Sequence, residues 1–270
     1  MTDQLLRPVL PSYAGSCRQR WLVLHGWAQG APYWAPVARQ LAADQIMLLC
    51  PDMPALAGTC LAPPGSLDRL VELTAKLAGH CGPEDFPVIV GHSSGAPAAV
   101  LLAGRLPRLG LLVLVEPPLH NLGIPGAVAP GDWAVIDSTG GSVTDRLRSR
   151  YPFADMDTLR TVAAELGDAG AEPGIPTTRD SGRDRAVYQA LCALPAPLVV
   201  VRGDRSALFT RADAQILINC APSAAEHVIP GAGHSVHLDQ PRALAKLFAA
   251  LMTESPACVR RSPTEVLDGC

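Results

Sequence analysis

The sequence predicts an α/β protein with a mostly parallel sheet that helices cover on both faces. Short apolar runs of strand length alternate along the chain with stretches of helical spacing, and no internal repeat is present. Parallel strands are typically apolar throughout, because crossover helices bury both faces of their sheet.

Six strands and four helices of the core are predicted in chain order from these patterns. The strands span residues 21–24, 46–50, 87–90, 111–115, 198–201 and 227–229. The helices span residues 34–41, 67–77, 96–103 and 241–252. Ser66 is the predicted N-cap of the second helix, since a serine oxygen can accept one of the unpaired N–H groups there.

Residues 117–194 break this alternation. They contain Gly and Pro clusters, charged residues and two helical patches (158–166 and 184–191), but no strand pattern. An insertion of this kind between two core strands predicts a helical cap over a site. The core then consists of residues 1–116 and 195–254, and residues 255–270 form a loosely attached polar tail.

Composition excludes several classes of function. The 270 residues carry a net charge of -3, which gives no electrostatic footprint for nucleic acid or an anionic membrane. No apolar run approaches the roughly 20 residues of a membrane span. Residues 1–20 lack a signal-peptide pattern, so we expect a cytoplasmic protein. The eight cysteines show no CxxC pair and no metal-ligand spacing, so we expect reduced thiols and no metal.

Gly91, His92, Ser93, Ser94 and Gly95 fit the pattern G-x-S-x-G. The pattern alone is weak, because Gly and Ser are abundant. Its position between an apolar strand and a small-residue helix is what a nucleophile elbow requires. Ser93 is therefore the predicted nucleophile, and the alternative is a glycine-rich turn with an incidental serine.

His234 is the predicted general base. It lies on a small-residue loop after the last strand, and the order of serine first and histidine last is the hydrolase order. His237 is the local competitor, but we expect it to face the loop exterior or to cap the next helix. The His92 side chain is expected to point away from the nucleophile.

The sequence His25-Gly26-Trp27 follows the first core strand and predicts half of an oxyanion hole. The backbone N–H groups of Trp27 and Ser94 could together bind a tetrahedral oxyanion. The alternative is a simple turn at the end of the strand.

The segments HGW, PDMP, GHSSG, RGD and PGAGH, in this order and spacing, are similar to the α/β-hydrolase superfamily. The resemblance covers about residues 20 to 252 and is weakest in the predicted cap. It implies a serine hydrolase with an eight-stranded sheet or a trimmed version of it, and no cofactor. The opening hairpin is expected to be reduced.

The third member of the triad has two candidates. Most relatives carry the acid in a Gly-x-x-Asp pattern, but the equivalent stretch ends here in Ser206, and Asp204 comes two residues early. Glu116 directly follows the strand 111–115, as the acid does in zearalenone-type lactonases and some haloalkane dehalogenases. A carboxylate at a strand end can accept the histidine Nδ1–H, so we favour Glu116 over Asp204.

Trp133, Tyr151 and Phe153 are candidates to line an apolar pocket, although packing within the cap is an equal alternative. The sequence thus predicts a hydrolase of carboxylic esters or lactones that forms an acyl-enzyme on a small-molecule substrate. The alternatives are a thioesterase or a C–C bond hydrolase with the same triad, and a non-catalytic ligand-binding protein on the same scaffold.

Overall fold

The computed structural model describes residues 6–9, 17–26, 29–51, 88–106, 109–127, 142–166, 181–221 and 224–253. Several predictions lie outside these ranges: the helix at 67–77 with its N-cap Ser66, the oxyanion residue Trp27, the pocket residue Trp133 and the tail at 255–270.

The described residues form one seven-stranded sheet. Its strands are β1 (Leu6–Pro8), β2 (Gln19–Leu24), β3 (Ile46–Pro51), β4 (Val88–His92), β5 (Leu111–Val115), β6 (Leu198–Gly203) and β7 (Ala224–Ile229). The order across the sheet is β1-β3-β2-β4-β5-β6-β7. Only β1 is antiparallel to its neighbour, β3. The prediction of a mostly parallel sheet is confirmed.

Eight α-helices lie in the described ranges. They are α1 (Ala31–Leu41), α2 (Ala96–Ala103), α3 (Val143–Arg150), α4 (Met156–Leu166), α5 (Ser181–Cys192), α6 (Arg211–Cys220), α7 (Val236–Asp239) and α8 (Pro241–Thr253). None of the helices in the described part of the chain is both long and apolar enough to cross a membrane.

Side chains of each central strand alternate between two apolar layers, as the pleat requires. On β2, Trp21 points into a layer that also contains residues of α1 and α8, and its ring lies 5.1 Å from that of Phe248. Leu22 and Leu24 point into the opposite layer, with residues of α2 such as Leu102. Helices therefore cover both faces of the sheet, as the apolar strands predict.

Four elements are absent from the predicted set, and one of them is helix α7, which has only four residues. Strand β1 has three residues, which is too short for a periodic pattern. Helix α3 buries only Leu147 and so lacks an apolar stripe. Helix α6 begins at a capping box in which Thr210 and Asp213 bond each other's backbone N–H groups, a signal that is present in the sequence.

The segment between β5 and β6 packs on the rest of the fold at two places. Helix α5 contributes Val187 and Leu191 to the apolar layer around α2. Helix α4 contacts α1, where Arg39 lies 3.3 Å from Glu165. The division into core and cap remains a prediction.

The sheet register brings the carboxyl ends of three strands together. His92 of β4 pairs with Val115 of β5, and Val115 pairs with Val201 of β6. Residues that follow these positions meet at one edge of the sheet, where parallel α/β folds place their sites.

Candidate active site

Ser93 lies in a tight turn between β4 and α2. Its φ is 50°, a left-handed conformation that is strained for a residue with a Cβ. Gly91 and Gly95 allow this turn, because a Cβ on Gly91 would come within 2.6 Å of the Ala99 Cβ and one on Gly95 within 2.3 Å of the Leu24 carbonyl oxygen. The turn is the strand-to-helix elbow that the sequence predicts.

Glu116 occupies the equivalent place at the end of β5. It is fully buried and has a left-handed φ of 52°. Its Oε1 accepts the Gly203 N–H at 2.8 Å, and its Oε2 accepts the Ser206 hydroxyl at 2.5 Å. The loop that follows β6 thus holds both oxygens of this carboxylate.

His234 connects Ser93 to Glu116. Its Nε2 lies 2.8 Å from Ser93 Oγ, and its Nδ1 lies 3.1 Å from Glu116 Oε2. With the carboxylate accepting the Nδ1–H, Nε2 carries a lone pair and accepts the serine proton. The structure therefore brings the predicted nucleophile, base and favoured acid into one hydrogen-bonded row.

Burial shifts the ionisation of both partners in this row. It lowers the pKa of the His234 imidazole to about 4, so the ring is neutral and can accept a proton at neutral pH. Burial also raises the pKa of the Glu116 carboxyl, and the hydrogen bonds from Ser206 and Gly203, together with the Arg202 charge, oppose that rise.

The alternative acid, Asp204, has a different place. It is exposed, and its Oδ1 accepts the Gly231 N–H at 2.7 Å. This carboxylate therefore braces the turn that leads to His234. Of the two candidates, Glu116 is the one whose carboxylate lies within hydrogen-bond distance of the imidazole.

One of the two predicted oxyanion donors falls in the described ranges. Ser94 lies in the single helical turn Ser93–Gly95 that leads into α2, and the first amides of a helix have no partner within it. Gly26, which precedes Trp27, is buried beside this turn, since a Cβ there would lie 3.1 Å from the Ser93 Cβ. The position of the Trp27 amide lies outside the described residues.

His237 is fully buried, so the expectation that it faces the exterior or caps a helix is wrong. Its ring stacks on Trp34 at 4.5 Å and meets the His92 ring at 4.5 Å. Neither nitrogen of His237 has a hydrogen-bond partner among the residues that the structure describes. Burial and the neighbouring charges of His92 and His234 hold the pKa of His237 well below its usual value.

His92 also differs from the expectation that it points away from the site. Its Nε2 lies 3.1 Å from the backbone carbonyl of His234, and a carbonyl only accepts, so Nε2 carries the proton. Its Nδ1 faces Gly26. His92 therefore connects the predicted oxyanion turn at Gly26 with the loop that carries His234, called the histidine loop below. No sequence pattern indicates this contact.

The two described pocket candidates belong to the predicted cap and contact residues beside the site. Tyr151 is buried and accepts a hydrogen bond of 3.3 Å from the Gln29 Nε2. Phe153 is 45% exposed, and its ring packs beside Gly233, next to His234. The Arg205 guanidinium lies over the same ring at 5.7 Å.

The chain is similar to known proteins in sequence. Residues 21–247 match the model described as "Alpha/beta hydrolase family". The chain is 26% identical over 248 residues to the biotin biosynthesis bifunctional protein BioHC of Cellvibrio japonicus, a match that covers 83% of this chain and 45% of that protein. It is 24% identical over 254 residues to the esterase Rv0045c of Mycobacterium tuberculosis, covering 88% and 84%.

Solved structures show the same fold. The thioesterase domain from the curacin biosynthetic pathway matches with a TM-score of 0.63 at 21% identity, over 87% of this chain and 92% of that domain. The chain spans less than half the length of BioHC, whereas it spans most of the esterase and of the thioesterase domain.

Proposed function

Since the chain belongs to the alpha/beta hydrolase family, we propose that it hydrolyses carboxylic esters or lactones through an acyl-enzyme on Ser93. The observation that carries this proposal is the hydrogen-bonded row from Ser93 Oγ through both nitrogens of His234 to Glu116 Oε2. A nucleophile, a base in the correct tautomer and a carboxylate that orients the base are what acyl transfer requires.

In the first half of the reaction, Ser93 Oγ attacks the substrate carbonyl while His234 Nε2 takes its proton. Glu116 stabilises the imidazolium that forms. The tetrahedral intermediate collapses when its C–O bond to the alcohol breaks, and His234 returns the proton to the departing oxygen. In the second half, His234 takes a proton from the water that attacks the acyl carbon. The C–O bond to Ser93 then breaks, His234 returns the proton to Ser93 Oγ, and the free carboxylic acid leaves.

The developing oxyanion needs donors on the other side of the carbonyl. We propose the backbone N–H groups of Ser94 and Trp27 for this role. The position of Ser94 in the first turn before α2 supports its share, because the free amides there point at incoming negative charge. Loss of one such donor typically costs about 100- to 1000-fold in rate.

The segment after β5 is proposed to close the site as a cap and to contact the acyl or lactone part of the substrate. The hydrogen bond from Gln29 to Tyr151 supports this placement, because Gln29 closely follows the predicted oxyanion turn. Phe153, beside the histidine loop, supplies exposed apolar surface for a bulky group. The resemblance to zearalenone-type lactonases favours a lactone or a bulky ester.

A ligand-binding protein without turnover has no need of this arrangement. Binding alone does not require a strained serine, a neutral imidazole within 2.8 Å of it and a fully buried carboxylate behind the ring. The left-handed φ of Ser93 costs stability, and such strain is typical of functional positions.

The proposal is tested by an activity screen on the purified protein. Substrates are p-nitrophenyl esters of increasing acyl length, small and macrocyclic lactones, and matched thioesters. We expect turnover of esters or lactones by the wild-type protein and background rates for Ser93→Ala purified in parallel. Turnover of thioesters alone would assign a thioesterase, and equal rates for both proteins would contradict the proposal.

A further inference from the structure

We propose that Ser206 is a positioning residue for the reaction, whose hydroxyl favours the ionised form of the Glu116 carboxylate and aims it at His234. This inference rests on the proposed function and concerns the position where most relatives carry the acid itself.

The hydrogen bonds around Ser206 fix the direction of its proton. Its Oγ lies 3.3 Å from the backbone N–H groups of both Leu208 and Phe209, which can only donate. With its lone pairs engaged in this way, the hydroxyl hydrogen is directed to Glu116 Oε2, at 2.5 Å. An oxygen that receives this hydrogen bond is stabilised as a carboxylate.

The same oxygen serves two donors. Glu116 Oε2 accepts from Ser206 and lies 3.1 Å from His234 Nδ1, whereas Oε1 accepts only the Gly203 N–H among the described residues. The carboxylate thus has three contacts, two of them on Oε2. Removal of the Ser206 hydroxyl leaves the contacts with Gly203 and His234, and the carboxylate loses the donor from the loop after β6 that orients Oε2.

Charged and titratable groups from every neighbouring element act on this buried carboxyl. Arg202 on β6 lowers the pKa of Glu116, while Asp213 on α6 raises it. His234 contacts it directly, and Glu116 raises the pKa of Asp239 on α7. Arg202 is also paired with Glu226, 2.8 Å away. Among the groups that oppose the effect of burial on the Glu116 pKa, the Ser206 hydroxyl acts most strongly.

The test compares the pH dependence of kcat/KM for the wild-type protein, Ser206→Ala and Ser206→Thr, with the best ester from the activity screen. Loss of the hydroxyl raises the pH at which Glu116 ionises. We therefore expect the acid limb of the kcat/KM profile, where activity falls as the pH falls, to lie about one pH unit higher in Ser206→Ala than in the wild type. At pH values below the wild-type limb, activity should fall about 10-fold relative to the wild type and should recover at higher pH. Ser206→Thr should restore the wild-type limb.

Ser142→Ala is the matched control, because it removes a hydroxyl that accepts the Asp145 N–H at the start of α3, in the segment after β5. It should lower thermal stability without moving the acid limb. A limb that is the same in Ser206→Ala and wild type, or a uniform loss of activity across pH, would overturn the positioning role. Failure of the proposed function itself is seen separately, as wild-type activity that survives Ser93→Ala.

Discussion

Ser93 and Glu116 share a left-handed backbone conformation, with φ of 50° and 52°. They directly follow His92 and Val115, which are paired across the neighbouring strands β4 and β5. At two adjacent strand ends, a strained backbone conformation thus directs a side chain toward His234. Such strain persists only where the surrounding structure over-determines it.

Relief of this strain should be measurable at the serine. We expect Ser93→Gly to be more stable than Ser93→Ala by about 1 kcal/mol, because glycine adopts positive φ without a Cβ clash. Urea unfolding gives the difference in the free energy of unfolding. The same two substitutions at Ser94, which has no positive φ, should show the opposite order of stability. If Ser93→Ala is as stable as Ser93→Gly, the backbone at Ser93 is not strained.

The choice of acid gives a second prediction. Glu116→Gln keeps the shape of the side chain but removes the carboxylate that orients the imidazole and stabilises its charge. We expect kcat to fall about 10³- to 10⁴-fold. Asp204→Asn should stay within about 3-fold of wild type, because Asp204 braces the Gly231 turn and not the ring. Near-normal turnover in Glu116→Gln would show that Glu116 is not the acid that orients His234.

The buried histidine at 237 should make the fold sensitive to acid. In the unfolded chain its imidazole binds a proton below about pH 6.5, whereas burial keeps the folded pKa well below that value. The unfolded state therefore binds more protons, and stability falls as the pH falls. Relative to His237→Phe, the wild type should lose about 1.4 kcal/mol between about pH 7.5 and pH 5.5.

Chemical unfolding of both proteins at the two pH values measures this difference. Phe248→Leu is the control, since it changes a buried aromatic side chain that does not titrate. That substitution should lower stability by the same amount at both pH values. If wild type and His237→Phe lose stability in parallel, then His237 is not held neutral in the folded state.

Gly26 and His92 should behave as a coupled pair. A Cβ on Gly26 would come within 2.6 Å of His92 Nδ1, and the packed His92 ring bonds the carbonyl of His234. We expect Gly26→Ala to lower kcat by about 10- to 100-fold, because a shift of the ring displaces the histidine loop. Gly26→Ala and His92→Ala should be less than additive in the double variant. Additive losses of kcat would show that the two positions act independently.

The sequence reveals the strand ends and their order better than it reveals the contacts among side chains. The span of α2 and the setting of Ser93 follow from an apolar strand, a glycine pair and a small-residue helix, which are all local. The position of Glu116 follows from its place after an apolar strand. The burial of His237 does not follow from the local sequence, because its ring stacks on Trp34, a residue far away in the chain.

Ser206 illustrates the same limit. Its place in the sequence shows that the customary acid is missing, but only the register of β5 with β6 brings its hydroxyl to Glu116. Helix α6 is the opposite example, since its Thr210–Asp213 capping box is visible in the sequence. Long-range pairing, and not local propensity, determines which polar groups meet at this site.

Covalent labelling with a fluorophosphonate tests most directly whether Ser93 is the nucleophile. The adduct is detected by intact mass and located by mapping of the modified peptide. A phosphonyl group transferred to an activated serine reports the nucleophile without knowledge of the substrate. We expect one adduct per chain, located on Ser93, with none on Ser93→Ala and slow labelling of His234→Ala. No adduct on the folded wild-type protein, or an adduct that persists in Ser93→Ala, would contradict the assignment of Ser93 as the nucleophile.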